Sequence, residues 1–402
     1  MYKSLPMDAI ALQQPVPVNV WDPKGVLLLR KGEAITSEQH RGLLMLHSPV
    51  VLEADWRAWS YSYTTELDRM VRDNAPLNRI AGVSHAVEVP TVEARAEDGP
   101  IEAWTDLHAA LNTLLQQGAA ATQFTDRFER LALRALKRWR DAPDDCLLVL
   151  VQLLFDARMG YSATHALLSA GLCALVSPST GLSPAEQGSL FRAALSSNIG
   201  MTRIHDAMAR QNAPLSEAQR QTVRDHPLRS AAVLRELGVK DALWLQLVEE
   251  QHERPDGSGY PTGKPVTDLA PRLLQMADVY VACISPRQGR GGLLSQQVAR
   301  ELYLGPDQLP DALGALFVKH IGFYPPGSYV RLASGEVAVV TRRGAKANAP
   351  QVFSIVGRQG MPLGEPTLRD TQDPAHEIKA SLPPGDVRVV VNVPRLLSLS
   401  RR

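Results

Sequence analysis

A glycine-rich loop carries the most specific pattern in the chain. The stretch EEQHERPDGSGYPTG, residues 249–263, places a histidine and a glutamate at the end of an apolar helix, with a glycine-dense turn directly after them. Glycine lets the backbone approach a ligand closely, while the tyrosine offers an aromatic ring and the proline a fixed φ. The pattern predicts a ligand-binding or partner-binding loop formed by Asp256, Gly257, Gly259, Tyr260 and Pro261. Alternatively, these loop residues serve only to pack the loop and bind no ligand or partner.

Four segments in succession resemble the HD-GYP family, the helical HD-superfamily phosphodiesterases that hydrolyse the bacterial second messenger cyclic di-GMP. Besides the loop, they are Asp225-His226-Pro227 before an apolar helix, RLLQMADVYVACISPRQGR at 272–290 and FYPPGSYVRLASGEVAVV at 323–340. The resemblance covers roughly residues 150–350. It implies a mainly α fold, the HD-GYP helical bundle.

The positions at which the resemblance places metal-binding groups hold other residues. The family's paired His-Asp falls on Ser197 and Asn198, and its phosphate-contacting lysine falls on Met201. The first histidine of the loop doublet is Gln251, and the glutamate of a third metal site is Tyr161. Two catalytic metal ions about 3.5 to 4 Å apart need an anionic bridge, which neutral Asn198 does not supply. The resemblance therefore implies a degenerate, catalytically inactive site.

Four residues are left at metal-binding positions of the family: His165, His226, His252 and Asp278. The resemblance spreads them over two or three metals, so we expect either no cofactor or one weakly held divalent ion, iron or manganese. Each histidine is otherwise a hydrogen-bonded core residue, and buried Asp278 then needs a donor such as Gln251 or a neighbouring histidine. A working phosphodiesterase would instead require His226, His252 and Asp278 to converge on one cation.

Two arginines and the glycine-rich loop indicate that the protein binds a ligand or a partner protein without catalysing a reaction. Arg287 and Arg290 fall at positions that in the family meet substrate phosphates, a task that guanidinium groups suit. A solvated loop is the alternative there. In the family, the Gly-Tyr-Pro loop also docks GGDEF-domain diguanylate cyclases, which needs no metal. The resemblance thus implies a cyclic di-GMP signalling protein with the nucleotide or a GGDEF protein as partner.

A second His-Asp pair ends SSNIGMTRIHD, residues 196–206. His205 follows Ser197 by eight positions, which along a helix is about 12 Å. We therefore expect that His205 and Asp206 do not reach the ligand positions. They are predicted to form an ordinary helix entry, with Asp206 near a positive helix end.

Changes in residue pattern predict four segments. Residues 1–82 form an N-terminal α+β module, 83–100 a linker, 101–320 the helical HD-GYP-like domain, and 321–402 a β-rich C-terminal extension packed on it. The first segment is expected to contain a hairpin around Asp22-Pro23-Lys24-Gly25 and a helix capped by Thr36 or Ser37. The last is expected to contain a hairpin at Ser334-Gly335 and a strand in PGDVRVVVNVP, 384–394.

Composition excludes several classes of protein. The 402 residues carry a formal charge of +1, with 45% hydrophobic and 21% charged residues, as in ordinary globular proteins. No basic patch indicates nucleic-acid binding, and no apolar run is long enough for membrane insertion. Cys146, Cys173 and Cys283 lie far apart in apolar surroundings. They favour buried thiols in a reducing compartment, so we expect a cytoplasmic protein.

Overall fold

The structure is a computed structural model. It describes residues 2–5, 12–13, 15–23, 26–52, 56, 100–156, 160–288, 291–304 and 309–401. Contacts divide the chain into two compact units, Met1–Asp98 and Gly99–Arg402. The four-segment division stays a prediction, and the predicted linker lies outside the described residues except for Pro100.

The N-terminal unit contains a small antiparallel sheet. Its strands are β1 (Tyr2–Ser4), β2 (Val20–Trp21), β3 (Leu27–Leu29) and β4 (Val50–Leu52), in the order β1-β4-β2-β3, and helix α1 spans Glu38–Leu46. Antiparallel pairing of β2 with β3 confirms the predicted hairpin. Of the two predicted caps, Ser37 is the one used, because its side chain accepts a hydrogen bond from the backbone N–H of His40.

Helices make up most of the C-terminal unit. They are α2 (Pro100–Gln117), α3 (Phe124–Asp141), α4 (Pro143–Phe155), α5 (Tyr161–Val176), α6 (Pro184–Ser196), α7 (Thr202–Ala209), α8 (Glu217–Glu236), α9 (Ala242–Glu250), α10 (Leu269–Ile284), α11 (Ser295–Leu304) and α12 (Ala312–Ile321). Ser183 and Ser216 begin α6 and α8 with reciprocal caps, in which Glu186 and Gln219 return to the cap N–H groups. These bonds satisfy amides that have no partner within the helix. None of the helices among the described residues is long and apolar enough to cross a membrane.

Helix α5 is the centre of this unit. It packs against α2, α3, α4, α6, α7, α10 and α12. Almost its whole length is buried, from Ser162 to Cys173. Trp139 of α3 lies against Gly171 so closely that a Cβ there would fall 1.8 Å from the indole ring. The helical domain is therefore built around α5, which is buried along most of its length and also carries His165.

Replacing Gly171 by alanine is expected to lower the free energy of unfolding by about 1 to 3 kcal/mol, the usual cost of overpacking a core. Urea unfolding measures the change. Gly188→Ala on α6 is the matched control, because its Cβ would meet only the flexible end of Arg192, at 3.2 Å. Equal stability of the two variants would contradict the packing described for Trp139.

A five-stranded antiparallel sheet follows the helices. Its strands are β5 (Tyr329–Leu332), β6 (Val337–Arg342), β7 (Gln351–Val356), β8 (Pro362–Asp370) and β9 (Ile378–Leu382), in the order β8-β7-β6-β5-β9. Pairing of β5 with β6 confirms the hairpin at Ser334-Gly335, where Gly335 has a φ of +87°. Gln152 of α4 donates a 2.7 Å hydrogen bond to the carbonyl of Gly327, which joins the sheet region to the helices.

The strand predicted for residues 384–394 is wrong. A 3₁₀ turn (Pro384–Asp386) is followed by irregular chain and then by helix α13 (Val393–Ser400). Val387, Val389 and Val391 pack on the core while Val390 is 95% exposed. Side chains in this segment therefore alternate between buried and exposed although the segment is not a strand. The alternating valines were the only feature of the sequence that indicated a strand here.

Candidate functional site

Side chains from α5, α8, α10 and the loop after α9 surround one buried carboxylate. Asp278 of α10 lies with its Oδ1 3.6 Å from His165 Nε2 of α5 and its Oδ2 4.0 Å from His252 Nδ1 in the loop after α9. The His226 ring of α8 lies 5.0 Å from the His252 ring. The four residues predicted as the metal remnant are therefore neighbours in space.

Burial keeps this cluster close to neutral. It raises the pKa of Asp278 to about 7, against the opposing effect of Arg287. It lowers the pKa of His165 to about 3 and that of His226 to about 4. The pKa of His252 falls well below its ordinary value for the same reason. The charged forms of these four side chains are disfavoured because water is largely excluded. At neutral pH the imidazoles are therefore neutral, and each has one ring nitrogen with a lone pair.

The lone pair of His226 is directed at Gln251. His226 Nδ1 lies 2.6 Å from the carbonyl oxygen of Val223, which only accepts, so this nitrogen carries the proton and Nε2 the lone pair. Nε2 lies 3.4 Å from the amide nitrogen of Gln251, which also lies 3.0 Å from the carbonyl oxygen of Ser197 and 3.2 Å from that of Val248. Gln251 and His226 are both fully buried. Of the two kinds of donor expected for Asp278, Gln251 makes no such contact among the described residues, whereas the neighbouring histidines His165 and His252 lie 3.6 and 4.0 Å from its carboxylate oxygens.

The side chains at the predicted His-Asp position form only local hydrogen bonds among the described residues. Asn198 donates a 3.3 Å bond to Ser197 Oγ, and its carbonyl accepts from Thr202. Met201 is buried. Within the described part of the chain, no three His, Cys, Asp or Glu side chains are placed to hold a metal ion. Because Asp278 is the cluster's single carboxylate, the residues present do not fit a two-metal centre, which needs a bridging anion.

His205 reaches the site, contrary to the sequence-based expectation. Its ring lies 4.7 Å from the ring of Tyr161 and 5.6 Å from that of His165. Asp206 does lie at a positive helix end, but at that of α5: its Oδ1 accepts a 2.8 Å bond from the Ser162 N–H. The distance argument failed because the chain turns between α6 and α7, so rise along a single helix does not apply.

Arg287 is held by Tyr161, the residue at the third-metal position. Its Nη2 donates a 2.9 Å bond to the Tyr161 hydroxyl, and its Cζ lies 5.0 Å from the centre of the ring. This contact combines a hydrogen bond with a cation–π interaction. Arg287 thus lies beside the cluster, and its predicted contact with a substrate phosphate stays a prediction. Arg290 lies outside the described residues.

The glycine-rich loop is held together by its own contacts. Buried Glu253 accepts bonds from the N–H and hydroxyl of Thr262, at 2.8 and 2.6 Å, and from the N–H of Gly263, at 3.1 Å. Tyr260 stacks on His252 with ring centres 4.6 Å apart. A Cβ on Gly259 would lie 2.5 Å from the backbone of His252 and Glu253. Packing thus explains the glycine at 259.

The outer part of the loop faces solvent. Asp256 is exposed, and its Oδ1 accepts bonds from the N–H and hydroxyl of Ser258. Gly257 has a φ of +73°, which favours glycine. Pro261 is half-buried next to Tyr260. The predicted binding residues therefore divide into an exposed turn and a packed base.

Sequence reasoning missed the roles of His205 and Glu253. Nothing in the spacing of His205 signals its position, because the preceding turn sets it. Glu253 had a usable signal: it precedes a glycine-dense turn whose amides need acceptors, and a carboxylate nearby is the strongest one available.

Asp278→Asn is expected to gain stability relative to the unmodified, metal-free chain as pH rises from about 4 to about 7. The folded pKa of Asp278 is about 7 and its ordinary value 3.8. Across this window the unfolded chain releases the proton while the folded chain retains it, so the contribution of Asp278 to stability is lost as pH rises. Urea unfolding in EDTA at several pH values measures the difference. A difference independent of pH would contradict the raised pKa.

Comparison with known proteins identifies the helical region. Residues 149–303 match the family model described as HD domain. Cyclic di-GMP phosphodiesterase PA4108 of Pseudomonas aeruginosa is 31% identical over 150 residues, which are 37% of this chain and 36% of that protein. The 3'3'-cGAMP-specific phosphodiesterase 3 of Vibrio cholerae is 26% identical over 221 residues, 52% of this chain and 47% of that protein. The chain thus spans less than half the length of these relatives.

Among the solved structures that match is Bd1817, a HDG"Y"P protein from Bdellovibrio bacteriovorus, with a TM-score of 0.45 and 15% identity over 79% of this chain and 98% of that one. The matched family model spans the helices that carry His165, His226 and Asp278, together with the Gly-Tyr-Pro loop. It shows that residues 149–303 form an HD domain, and over this region the chain is similar to the phosphodiesterases named above.

Proposed function

We propose that this HD-GYP domain is a non-hydrolytic component of cyclic dinucleotide signalling, which binds a nucleotide or a partner protein without cleaving a phosphodiester. The observation that carries the proposal is the Gln251 amide. It lies between His226 Nε2 and the Ser197 carbonyl, at 3.4 and 3.0 Å. A metal at His226 would have to displace this buried amide. The site is therefore built around a hydrogen bond where the family resemblance implies a metal ligand.

The charges of the site support the same proposal. Phosphodiester hydrolysis by paired metals needs a bridging anion and an activated water. Asn198 is neutral, and the pKa of Asp278 is raised to about 7, so much of the cluster's negative charge is lost near neutral pH. The relatives named above are phosphodiesterases of cyclic di-GMP and 3'3'-cGAMP. We propose that this domain retains recognition of that ligand class and has lost its cleavage.

A partner protein is the second part of the proposal. The loop at 256–261 has an exposed turn on a base fixed by Glu253, and we propose a GGDEF-domain protein as its partner. Such docking would use the surface of Asp256 and Ser258, both of which are exposed. It requires no metal, and we propose that it occurs in the cytoplasm.

The test is incubation of the purified chain, loaded anaerobically with iron or manganese, with cyclic di-GMP. Chromatography is expected to show no linear product, and elemental analysis to show less than one metal ion per chain. The GGDEF part is tested by pull-down with a purified GGDEF-domain protein. A Ser258→Arg variant on the exposed turn should abolish that binding without changing stability.

One observation favours a second candidate, an active phosphodiesterase with one metal. His165 and His252 both lie within 4.0 Å of Asp278, so a small rotation would aim two imidazoles and a carboxylate at one point. Linear product that forms with metal and disappears in His252→Ala would establish this candidate and overturn the first proposal.

A further inference from the structure

Arg287 is a half-buried cation that the chain does not neutralise with an ion pair. Its Nη2 donates a 2.9 Å hydrogen bond to the Tyr161 hydroxyl, and its Cζ lies 5.0 Å from the centre of that ring. Its Nε is buried without a hydrogen-bond partner. In the part of the chain that the structure describes, no ion pair joins it to a carboxylate. A guanidinium in a protein does not lose its proton, so a fixed positive charge lies at this position.

Tyr161 positions this charge without cancelling it. Burial raises the pKa of the Tyr161 hydroxyl, although Arg287 acts in the opposite direction. The hydroxyl is therefore protonated and neutral at neutral pH. The His205 ring meets the Tyr161 ring edge-on, with 4.7 Å between their centres, which helps to fix the ring beside the guanidinium. The positive charge of Arg287 thus acts on the groups around it.

The charge of Arg287 acts on the buried histidine and carboxylate cluster. Burial raises the pKa of Asp278 to about 7, and Arg287 opposes this rise by favouring the carboxylate. Burial lowers the pKa of His165 to about 3, and Arg287 lowers it further. Arg287 therefore favours an ionised carboxylate beside a neutral imidazole. A bound divalent cation favours the same two forms, because metal ligands must be deprotonated.

We propose that Arg287 is a built-in cation that takes the place of a metal ion beside the cluster and makes the folded domain independent of divalent metal. A carboxylate at position 161 would attract a cation from solution. Tyr161 instead holds a side chain that already is one. The inference goes beyond the proposed function, because it concerns the charge of the site before any ligand or partner binds.

A second cation near Arg287 would be repelled. A divalent ion bound by His165 and Asp278 would lie in the field of the guanidinium, where burial leaves little water to screen the two charges. Removal of the charge of Arg287 is therefore expected to strengthen metal binding. An arginine that served packing alone would have no such effect.

Manganese titration of the full chain tests the inference, with electron paramagnetic resonance to count the free ions. Arg287→Gln is expected to lower the apparent Kd for manganese at least about tenfold relative to the unmodified chain. Arg287→Lys keeps the charge and should bind manganese as weakly as the unmodified chain. Arg210→Gln is the matched control, because exposed Arg210 lines the same cavity as Arg287. Its manganese affinity should not change.

Tyr161→Phe is a second, milder variant, which keeps the ring but loses the hydroxyl that holds the guanidinium. It is expected to raise manganese affinity about threefold, so the inference is tested even if Arg287→Gln does not fold. Equal affinity in the unmodified chain, Arg287→Gln and Tyr161→Phe would overturn the inference. An equal gain in Arg287→Gln and Arg287→Lys would overturn it as well, because the guanidinium would then exclude metal by its shape and not by its charge.

This inference and the proposed function fail separately. Cleavage of cyclic di-GMP by the metal-loaded chain, together with a raised manganese affinity in Arg287→Gln, would overturn the non-hydrolytic function and leave the role of Arg287 standing. Absence of cleavage, together with manganese affinity that ignores the charge at Arg287, would do the reverse.

Discussion

The triple variant Ser197→His, Asn198→Asp, Gln251→His is expected to hold about two divalent metal ions per chain, because it restores two imidazoles and the bridging carboxylate that a dinuclear centre needs. His226 and Asp278 are already beside these positions, and removal of the Gln251 amide frees the His226 lone pair. Elemental analysis after dialysis against manganese or iron measures the ions. Addition of metal should also raise the melting temperature, since binding stabilises the folded state.

The control for this variant is the same triple change combined with Asp278→Asn, which should lose metal binding and the shift in melting temperature. The unmodified chain should show no shift with metal or with EDTA. Two bound ions in the unmodified chain would contradict our account of Gln251 and Asn198. Failure of the folded triple variant to take up metal would contradict the placement of these positions around one site.

Gly259→Ala is expected to have the second largest effect, because its Cβ would overlap backbone atoms. The nearest are the Glu253 Cα and His252 carbonyl at 2.5 Å and the Arg254 N at 2.6 Å. Backbone cannot rotate away as a side chain does, so the loop must open. We expect a loss of about 2 to 4 kcal/mol, in the range of the severe mutations, measured by urea unfolding.

Gly385→Ala is the matched control for this variant, because no atom lies within 4 Å of its added Cβ, and its stability should stay within about 0.5 kcal/mol of the unmodified chain. Proteolysis in the loop should accelerate in Gly259→Ala alone. A Gly259→Ala protein of normal stability would contradict the close approach of the two backbone segments.

Local chemistry made much of the fold predictable. The start of α1 follows from its cap, Ser37, which binds the N–H of His40 three residues later. The hairpin at Ser334-Gly335 follows from β-forming residues around a glycine turn. The C-terminal valines were misassigned because the pairing partner of a strand lies elsewhere in the chain, and sequence alternation does not contain it.

For the site, the sequence predicted which residues take part but not how the chain arranges all of them. The family resemblance placed His165, His226 and Asp278, and the structure brings them together. The position of His205 depends instead on the turn at Gly200, whose Cβ would lie 2.7 Å from the Ser230 N–H nitrogen of α8. That contact directs α7 back to the cluster. Such a turn is set by packing between distant elements, which residue spacing does not show.

The three hydrogen bonds to Glu253 also affect how a partner would bind to the loop. They fix the chain before any partner arrives, so the conformational entropy of the loop is lost during folding and not during association. Affinity for a docked protein is therefore linked to the domain's own stability. A substitution that weakens the Glu253 bonds would reduce affinity without altering a single residue that the partner contacts.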